Sequence, residues 1–492
     1  MNLLIDTNIV IPLEPSSIDD LSVNTDLAIE FHNLCNRSGN TVCVHPSIYE
    51  DLKRDENIQR AELRKTLIKR YHMLDSPPDI NLLEKELVGS PEMGSNDWVD
   101  NCFLAAIKAD AVDFFITEDK AIHKKANRLN IASQVLKLND AIQMLQDLFD
   151  TIPAAPPLVS TVPAYTMNLN DPIFNSLRED YPDFDRWFTQ KCKRQQRTAY
   201  VIKQTDDSNI AGIAILKQEN EIPNGPKGKT LKLCTFKISN EHGGNRYGEL
   251  LLRTIFDYAT GNNYDQIYFT AFEKRQDIID FSRSFGFENH DNNTELGENI
   301  LYKKLKYKDS DIINCNPLLF NIKYGPKVVS FNNNNSFIVP ILPEYHRILF
   351  PDIEQQQSMF PPNRPCGNSI KKAYICNASL NKIKSGDNLF FYRSKDTSGI
   401  TAIGIVEESI RSKSADSIAK YVGTRTVYRF SEIKQLCMKR PVLAIKFRYI
   451  QGILPIISLQ NLRENSILNG QPQSITQIDS KGIEWLKNQI KK

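Results

Sequence analysis

A short apolar segment near the N-terminus constrains the fold of this chain more than any other feature. Residues 3–5 are a Leu-Leu-Ile run that stops at Asp6. A continuous apolar run of this length is typical of a strand buried on both faces in a parallel sheet. In open α/β sheets, ligands bind at the carboxyl ends of such strands. The pattern therefore predicts an α/β domain with Asp6 where chemistry is usually done; the alternative is that Asp6 only caps the next helix.

The size and composition predict a soluble chain of several domains. With 492 residues, the chain exceeds what one hydrophobic core supports, and its 41% apolar and 24% charged residues are ordinary for globular proteins. It contains no run of about 18 apolar residues and no secretory signal pattern, so we expect no membrane segment and a cytoplasmic location. The 9 cysteines include no C-x-x-C pair, which argues for reduced thiols and against a zinc ribbon or disulfide frame.

The small net charge of +2 conceals a strong asymmetry along the chain. Residues 1–150 carry a net charge of −10, residues 151–310 a net charge of zero, and residues 311–492 a net charge of +12. A basic region in the same chain as an acidic one favours a polyanion that is bound by one and processed by the other.

In residues 1–150, acidic residues recur where predicted strands end and predicted helices begin. The pattern alternates between strands, at 3–5, 41–44 and 113–119, and helices that begin near 46 and 96, which predicts a parallel sheet with crossover helices. Five acids lie at the strand ends and helix starts: Asp6, Glu50, Asp97, Asp100 and Asp119. Carboxylates brought together repel one another unless a cation binds them, and hard oxygen ligands suit Mg²⁺ or Mn²⁺. Such a site can activate water for attack on a phosphodiester.

Four segments of this region resemble the acidic motifs of the PIN-domain ribonucleases. They are L-L-I-D-T-N at 3–8, S-I-Y-E-D at 47–51, D-N-C-F-L-A-A at 100–106 and I-T-E-D at 116–119. The resemblance covers residues 1–150 and implies a PIN fold with Mg²⁺- or Mn²⁺-dependent RNA cleavage. It implies that the catalytic, metal-binding acids are Asp6, Glu50, Asp100 and Asp119, with Asp97 as an additional or competing ligand. An inactive PIN fold, or acids that only cap helices, is the alternative.

Residues 151–164 contain four prolines and predict a linker. Beyond them, strand patterns at 199–203, 210–217 and 231–238 precede a glycine-containing turn at 242–248 that opens into a helix. A strand, a glycine turn and a helix N-terminus together present free N–H groups, which suit a pyrophosphate. A simple turn is the alternative.

This order, with F-S-R-S-F-G-F at 281–287, resembles the GNAT acetyltransferases over residues 165–310. The resemblance implies acetyl-CoA as cofactor, bound by a pyrophosphate loop of Asn245, Arg246, Tyr247, Gly248 and Glu249. The chain departs from the family where Arg246 replaces a usual Gly, and where Gly243 replaces a usual Gln or Arg. Ser282 stands where many members have a Tyr that protonates the leaving thiolate, which leaves the catalytic acid open. A GNAT fold that is retained only as a scaffold is the alternative.

Residues 311–335 predict a second linker, and residues 336–492 predict a small barrel of short strands. G-D-N-L-F-F-Y-R-S at 386–394 and A-I-G-I-V-E-E at 402–408 resemble the PUA-like superfamily, which includes the ASCH and EVE domains. The resemblance implies RNA binding. Arg393 and Lys395 are candidate phosphate contacts, and Phe391 or Tyr392 is a candidate for stacking on a base. A structural or protein-binding barrel is the alternative.

Together these patterns predict a multidomain α/β protein with a PIN-like parallel-sheet domain, a GNAT-like mixed α/β domain and a PUA-like β-barrel. The predicted function is an RNA-directed enzyme with a metal-dependent endoribonuclease site and an N-acetyltransferase site, with RNA (tRNA is one candidate) bound by the basic domain. An acetyltransferase with an inactive, regulatory PIN-like domain is the first alternative, and a non-enzymatic RNA-binding adaptor the second. A toxin role is also consistent with the PIN and GNAT resemblances, and it would require an antitoxin or other regulatory partner protein. The acceptor amine is not predicted.

Overall fold

The computed structural model describes residues 1–13, 24–55, 57–83, 91–149, 157–203, 209–239, 242, 244–353, 364–380 and 382–490. These residues form two compact units. The first contains the N-terminal region up to residue 149 together with segments 414–424 and 429–434, and the second contains the other described residues. None of the helices in the described ranges has the length and apolar character that crossing a bilayer requires.

The first unit is built on a parallel sheet. Its strands are β1 (Asn2–Ile5), β2 (Thr41–Val44), β3 (His72–Met73), β4 (Phe114–Ile116) and β5 (Val135–Leu136). Its helices in the N-terminal region are α1 (Thr7–Leu13), α2 (Thr25–Ser38), α3 (Ile48–Lys53), α4 (Ile58–Ile68), α5 (Asn96–Lys108), α6 (Lys120–Arg128) and α7 (Leu138–Phe149). All neighbouring strands are parallel, in the order β3-β2-β1-β4-β5. The parallel α/β architecture predicted for this region is confirmed.

Strand β1 lies at the centre of this sheet. Leu3 pairs with Val42 on one side and with Phe114 on the other, and residues 3–5 have no exposed surface. Chain order runs outward in both directions from β1, which makes this strand the switch point of the sheet. Ligands of open α/β sheets bind at such a point, beyond the carboxyl ends of the strands, and Asp6 follows the last residue of β1.

The second unit begins with a mixed sheet. Its strands are β6 (Leu158–Pro163), β7 (Thr198–Lys203), β8 (Gly212–Glu221), β9 (Lys227–Ile238), β10 (Gln266–Ala271), β11 (Glu288–Asn293) and β12 (Asn299–Lys304). Its α-helices are α8 (Asn175–Asp180), α9 (Phe184–Trp187), α10 (Tyr247–Gly261) and α11 (Gln276–Arg283). The order is β11-β12-β10-β9-β8-β7-β6, and β9 with β10 is the parallel pair. The predicted mixed α/β architecture is confirmed.

The chain continues into another mixed sheet. Its strands are β13 (Ser336–Ile341), β14 (Lys371–Cys376), β15 (Asn388–Arg393), β16 (Gly399–Ser412), β17 (Val442–Ser458) and β18 (Thr476–Gln477). The helices of residues 309–490 are α12 (Asp309–Asn314), α13 (Pro317–Tyr324), α14 (Pro343–Leu349), α15 (Pro365–Asn368), α16 (Ala415–Val422), α17 (Phe430–Lys439), α18 (Leu459–Glu464) and α19 (Ser480–Ile490). Among the described strands, the order β14-β17-β16-β15-β13-β18 has two ends, so closure into a barrel stays a prediction.

Both segments predicted as linkers contain regular structure. Leu158–Pro163 is strand β6, which pairs with β7 along its whole length, whereas residues 151–156 lie outside the described residues. Residues 311–335 contain α13, whose last carbonyls accept hydrogen bonds from the buried Lys303 ammonium, at 2.6 Å from Ile322 and 2.9 Å from Lys323. Proline content did not reveal that residues 158–163 form an edge strand of the sheet, or that α13 contacts Lys303 of the same sheet.

Candidate functional site

Asp6 is held by protein donors at the carboxyl end of β1. Only 6% of its surface is exposed. Its carboxylate accepts hydrogen bonds from the Thr7 N–H, the Asn8 side-chain amide and the Thr117 hydroxyl, each at 2.6 Å. The predicted I-T-E-D and D-T-N segments therefore do meet at one point of the sheet, and they orient this carboxylate.

Asp6 also lies near other carboxylates. The pKa of Asp6 is raised to about 7, chiefly by burial and also by the negative charges of Asp51 and Asp100, while the hydrogen bonds from Thr117 and Thr7 oppose this rise. The Thr7 hydroxyl donates to Asp51 at 2.7 Å, which links the two carboxylates. The acid from the S-I-Y-E-D segment that approaches Asp6 is thus Asp51, which sequence reasoning missed by one position.

A lysine supplies the positive charge beside these acids. The Lys125 ammonium lies 2.6 Å from Asp97 and 3.0 Å from Asp100, and it also donates to the Asn101 side chain at 3.2 Å. Burial raises the pKa of Asp100, and Lys125 opposes that rise. We call Asp6, Asp51, Asp97, Asp100 and Lys125 the Asp6 cluster.

Two other predicted metal ligands are engaged elsewhere. The Glu50 carboxylate forms an exposed ion pair with Lys53 at 2.7 Å. Asp119 is the N-cap of α6, where its carboxylate accepts from the N–H groups of Ala121 at 2.6 Å and Ile122 at 3.2 Å. Asp119 still contributes negative charge at Asp100. Asp119 therefore caps α6, as the alternative predicts, and its role as a metal ligand stays a prediction.

The side chains as placed do not fit a bound metal ion. Within the described ranges, no group of three His, Cys, Asp or Glu side chains is arranged to hold one. Lys125 already provides the cation that the acids at 97 and 100 require. The predicted Mg²⁺ or Mn²⁺ site stays a prediction, and no hydrolytic step is derived from it.

The second predicted site lies at the start of α10. Arg246 precedes this helix with φ of 60°, a left-handed conformation that costs a non-glycine residue about 1–2 kcal/mol. The GNAT resemblance predicts a Gly at this position, and the backbone keeps the conformation that a Gly would adopt most easily. Gly243, the other departure in this loop, lies outside the described residues.

A cavity of about 210 Å³ opens at this helix N-terminus. Four of the five predicted loop residues line it, namely Arg246, Tyr247, Gly248 and Glu249, and so do Ile238, His242, Gly244, Phe281, Ser284, Phe285, Lys371 and Arg425. We call this space the α10 cavity. Three of its lining side chains are cations and one is a carboxylate, and the N-terminus of α10 adds partial positive charge. The arrangement favours an anion.

Two predicted loop residues fix the loop in place. Glu249 is 3% exposed, and its carboxylate accepts hydrogen bonds from the N–H groups of Ile370 at 2.8 Å and Lys371 at 3.0 Å, and from the Arg425 guanidinium at 3.1 Å. Despite its burial, the Arg425 charge holds the pKa of Glu249 down at about 2. The Asn245 carbonyl similarly accepts from the Asn368 side chain at 3.0 Å.

The strands beside the cavity leave an open edge. Strands β9 and β10 pair only through residues 230–232 and 266–268, although β9 continues to Ile238. Along the rest of β9, the described register gives no pairing with β10, so an extended ligand could hydrogen-bond to this strand. The edge leads toward the loop that precedes α10.

Ser282 does not occupy a position suited to a catalytic acid. It is 2% exposed, and its hydroxyl donates to the Ile279 carbonyl at 2.8 Å. The Ser282 hydroxyl as placed is therefore not available to act as that acid.

The candidate RNA contacts of the third region are corrected by the structure. Phe391 and Tyr392 are both fully buried, so neither presents a ring for stacking. Arg393 is 5% exposed and forms an ion pair with Asp396 at 2.6 Å. Lys395 is the candidate of this set that is not in the core. Two adjacent strand residues usually face opposite sides of a sheet, but here both sides are covered.

Comparison with known proteins supports the GNAT resemblance of the middle region of the chain. Residues 164–287 match the model of the acetyltransferase (GNAT) family. No curated protein matches the chain.

Similar solved structures share little sequence with this chain. They include the PaiA N-acetyltransferase of Thermoplasma acidophilum in complex with coenzyme A, with 13% identity, a TM-score of 0.24 and coverage of 30% of this chain and 98% of that one. A GNAT acetyltransferase of Elizabethkingia anophelis with acetyl-CoA bound has 14% identity, a TM-score of 0.23 and coverage of 30% and 98%. The ASCH protein of Zymomonas mobilis has 13% identity, a TM-score of 0.25 and coverage of 31% and 94%. Similarities at these scores support no conclusion about the function of the chain.

Proposed function

We propose that this chain, in which residues 164–287 form a GNAT acetyltransferase domain, transfers an acetyl group from acetyl-CoA to an amine. The observation that carries the proposal is the α10 cavity, where cations and a helix N-terminus surround a space suited to phosphate oxygens. The cavity is smaller than the roughly 300 Å³ at which sites for whole drug-sized ligands begin, so it suits the diphosphate portion of the coenzyme.

The residues of the chain have separable roles in this reaction. Acetyl-CoA, when bound, supplies a thioester carbon to which the acceptor nitrogen bonds as the carbon–sulfur bond breaks, while one proton leaves the amine and one reaches the thiolate. The α10 N-terminus and Arg246 hold phosphate, and the open edge of β9 positions the extended arm. Because the Ser282 hydroxyl is committed to a backbone carbonyl, we assign the protonation of the thiolate to solvent.

The acceptor that we place first is an amine carried on RNA, with tRNA as one candidate. The support is the net charge of +12 of residues 311–492, which favours a polyanion. Full-length protein is incubated with radiolabelled acetyl-CoA and one acceptor class at a time: tRNA, nucleotides or basic peptides. The acceptor class is the one to which the label is transferred.

The central test is calorimetric titration of full-length protein with acetyl-CoA. We expect saturable binding at one site, and at least a tenfold loss of affinity in Arg246→Glu because that change places a carboxylate beside the phosphates. Lys446→Glu is the matched control, since Lys446 pairs with Glu408 and does not line the cavity. Absence of acetyl-CoA binding by the unmodified protein would overturn the proposal.

A second candidate function is metal-dependent RNA cleavage at the Asp6 cluster. The observation that favours it is the approach of Asp6, Asp51 and Asp100 at the switch point of a parallel sheet, close enough to raise the pKa of Asp6. Such mutual repulsion is relieved when a divalent cation binds. Lys125 would have to give up its contacts with the acids before a metal could bind.

Incubation of full-length protein with total tRNA in Mg²⁺ or Mn²⁺ tests this second function. Discrete fragments that disappear with EDTA and with Asp6→Asn, but persist with the exposed control Asp75→Asn, would support it. Intact RNA with each metal would leave an acetyltransferase with a non-catalytic N-terminal unit. Retention of RNA with neither cleavage nor acetyl transfer would identify a binding adaptor.

A further inference from the structure

Two of the three cations in the α10 cavity come from far along the chain. Lys371 is the first residue of β14, and Arg425 ends the turn at Gly423–Arg425. The matched acetyltransferase region ends at residue 287, so neither residue belongs to it. The cavity is therefore completed by residues of the C-terminal sheet region, within the same compact unit.

The contacts that place these cations are specific. The buried Glu249 carboxylate receives the backbone N–H groups of Ile370 and Lys371, at 2.8 and 3.0 Å. Arg425 donates both to Glu249, at 3.1 Å, and to the Lys371 carbonyl, at 2.6 Å. The start of β14 is thus tied by three contacts to the first turn of α10, which faces the cavity.

The backbone of Lys371 is hydrogen-bonded to Glu249 and Arg425, but its side-chain ammonium is not hydrogen-bonded within the described residues. The ammonium lies 5.3 Å from the centre of the Phe285 ring. Burial lowers its pKa to about 8. Among the described residues, the charges that act on Lys371 are two cations, Arg425 and Arg448, and two carboxylates, Glu249 and Glu407.

The carboxylates that act on Lys371 are already engaged by other donors. Arg448 is committed to Glu407 at 2.7 Å and to the Ser284 carbonyl at 2.6 Å. Glu249 is committed to Arg425 and to backbone donors. An anion that entered the cavity would meet an ammonium without an acceptor, and it would not need to break an existing pair.

We propose that the C-terminal sheet region completes the coenzyme site, with Lys371 binding a phosphate of acyl-CoA and Arg425 holding Lys371 and α10 in register. The proposal rests on the proposed acetyl-CoA function and adds residues from outside the GNAT region. It implies that the two parts of the second unit act as one binding element.

The test is a titration of CoA, dephospho-CoA and pantetheine into four forms of the full-length protein: unmodified, Lys371→Met, Lys371→Arg and Lys446→Met. Methionine keeps the length and apolar contacts of the lysine stem, and the backbone N–H of residue 371 still reaches Glu249. Lys446 is the matched control because it lies on β17 and pairs with Glu408, outside the cavity. We expect Lys371→Met to weaken CoA binding about tenfold or more, Lys446→Met to leave it unchanged, and Lys371→Arg to restore most of it.

The outcomes separate the two proposals. If the unmodified protein binds no CoA, the proposed function fails before Lys371 is tested. If it binds CoA and Lys371→Met binds equally well with an unchanged thermal midpoint, the Lys371 assignment is overturned. A loss for both CoA and dephospho-CoA supports contact with the diphosphate, and a loss for CoA alone supports contact with the 3′-phosphate. Pantetheine, which lacks all phosphates, should bind the unmodified protein and Lys371→Met with the same affinity.

Discussion

The Asp6 cluster and the α10 cavity both gather like charges in partly buried places, but they balance those charges differently. In the cluster, Asp6 accepts three hydrogen bonds, and Lys125 lies between Asp97 and Asp100. In the cavity, Lys371 has no acceptor among the described residues. At the first site, protein donors already bind the carboxylates, whereas the second site leaves an ammonium for a ligand.

This difference determines how much binding free energy a ligand obtains at each of the two sites. A cation entering the Asp6 cluster must displace Lys125, so part of its binding energy replaces contacts that already exist. An anion entering the α10 cavity adds a charge-assisted hydrogen bond to an ammonium that is already partly desolvated. The comparison ranks the α10 cavity ahead of the Asp6 cluster as a ready binding site, and the following changes test that ranking.

The largest effect is expected from Glu249→Ala. It removes the carboxylate that holds Arg425 and two backbone N–H groups, and breaking one side of a buried ion pair typically costs about 3–5 kcal/mol. Glu249→Gln, which keeps an oxygen for the N–H groups, should lose less. The measurement is urea unfolding in a Trp98→Phe background, where fluorescence reports on Trp187 and Trp485 of the second unit. A loss below about 1 kcal/mol for the alanine variant would show that Glu249 does not anchor β14.

The next effect concerns the pH dependence of the first unit. Because the pKa of Asp6 is raised from 3.8 to about 7, the folded state holds its proton more tightly than the unfolded state. The resulting stability is complete below pH 4 and is lost as pH rises through 7, by at most about 4 kcal/mol. Asp6→Asn cannot titrate and should lack this decline. Unfolding at pH 5 and pH 8, followed by Trp98 in a Trp187→Phe/Trp485→Phe background, measures the difference; equal slopes for both proteins would exclude the raised pKa.

Particular residues show how far the sequence could predict this structure. The apolar run at 3–5 predicted the central strand because burial on both faces leaves a continuous pattern, whereas the two-residue strands β3 and β5 are too short to leave any. Glu50 was chosen over Asp51, but adjacent helical residues point about 100° apart, and only the helix orientation decides which one faces Asp6. The α10 loop was found from its glycines, although Gly243 lies outside the described residues.

The cations of the cavity could not be predicted in the same way. Lys371 and Arg425 lie more than a hundred residues beyond the α10 loop, and no local pattern links a strand start to a distant helix. The basic surplus of residues 311–492 indicated an anionic ligand, and RNA was the predicted one. Two cations of that region, Lys371 and Arg425, line the α10 cavity, and RNA binding stays a prediction.

A smaller effect is expected from Lys125→Met. Removing this cation should raise the pKa of Asp100 further and destabilise the first unit by about 1 kcal/mol, since Lys125 and Asp97 are partly exposed. The same change should strengthen Mn²⁺ binding, because the metal no longer competes with an internal ammonium. Mn²⁺ titration of Lys125→Met beside the exposed neighbour Lys124→Met checks this. Equal Mn²⁺ affinity in the two variants would show that Lys125 does not compete with a metal ion for the carboxylates of the Asp6 cluster.

The last effect is the pH dependence of acetyl-CoA affinity. With a pKa of about 8, Lys371 loses its proton between pH 7 and pH 9, and binding to phosphate should weaken about fivefold over that range. The charged groups that face Lys371 are Glu407, Arg448, Arg425 and Glu249, and among them only the carboxylates could titrate, at far lower pH. Lys371→Arg keeps its charge throughout, so its affinity should stay flat.

Calorimetry at pH 7, 8 and 9 with unmodified protein, Lys371→Arg and Lys371→Met separates the contributions to that decline. The two variants should give parallel, flat profiles at different affinities, because one always carries the charge and the other never does. A decline that persisted in Lys371→Met would place the titrating group elsewhere in the site. In that case the Lys371 ammonium would not contact phosphate. The difference between the α10 cavity and the Asp6 cluster would then depend on Arg246 and the N-terminus of α10.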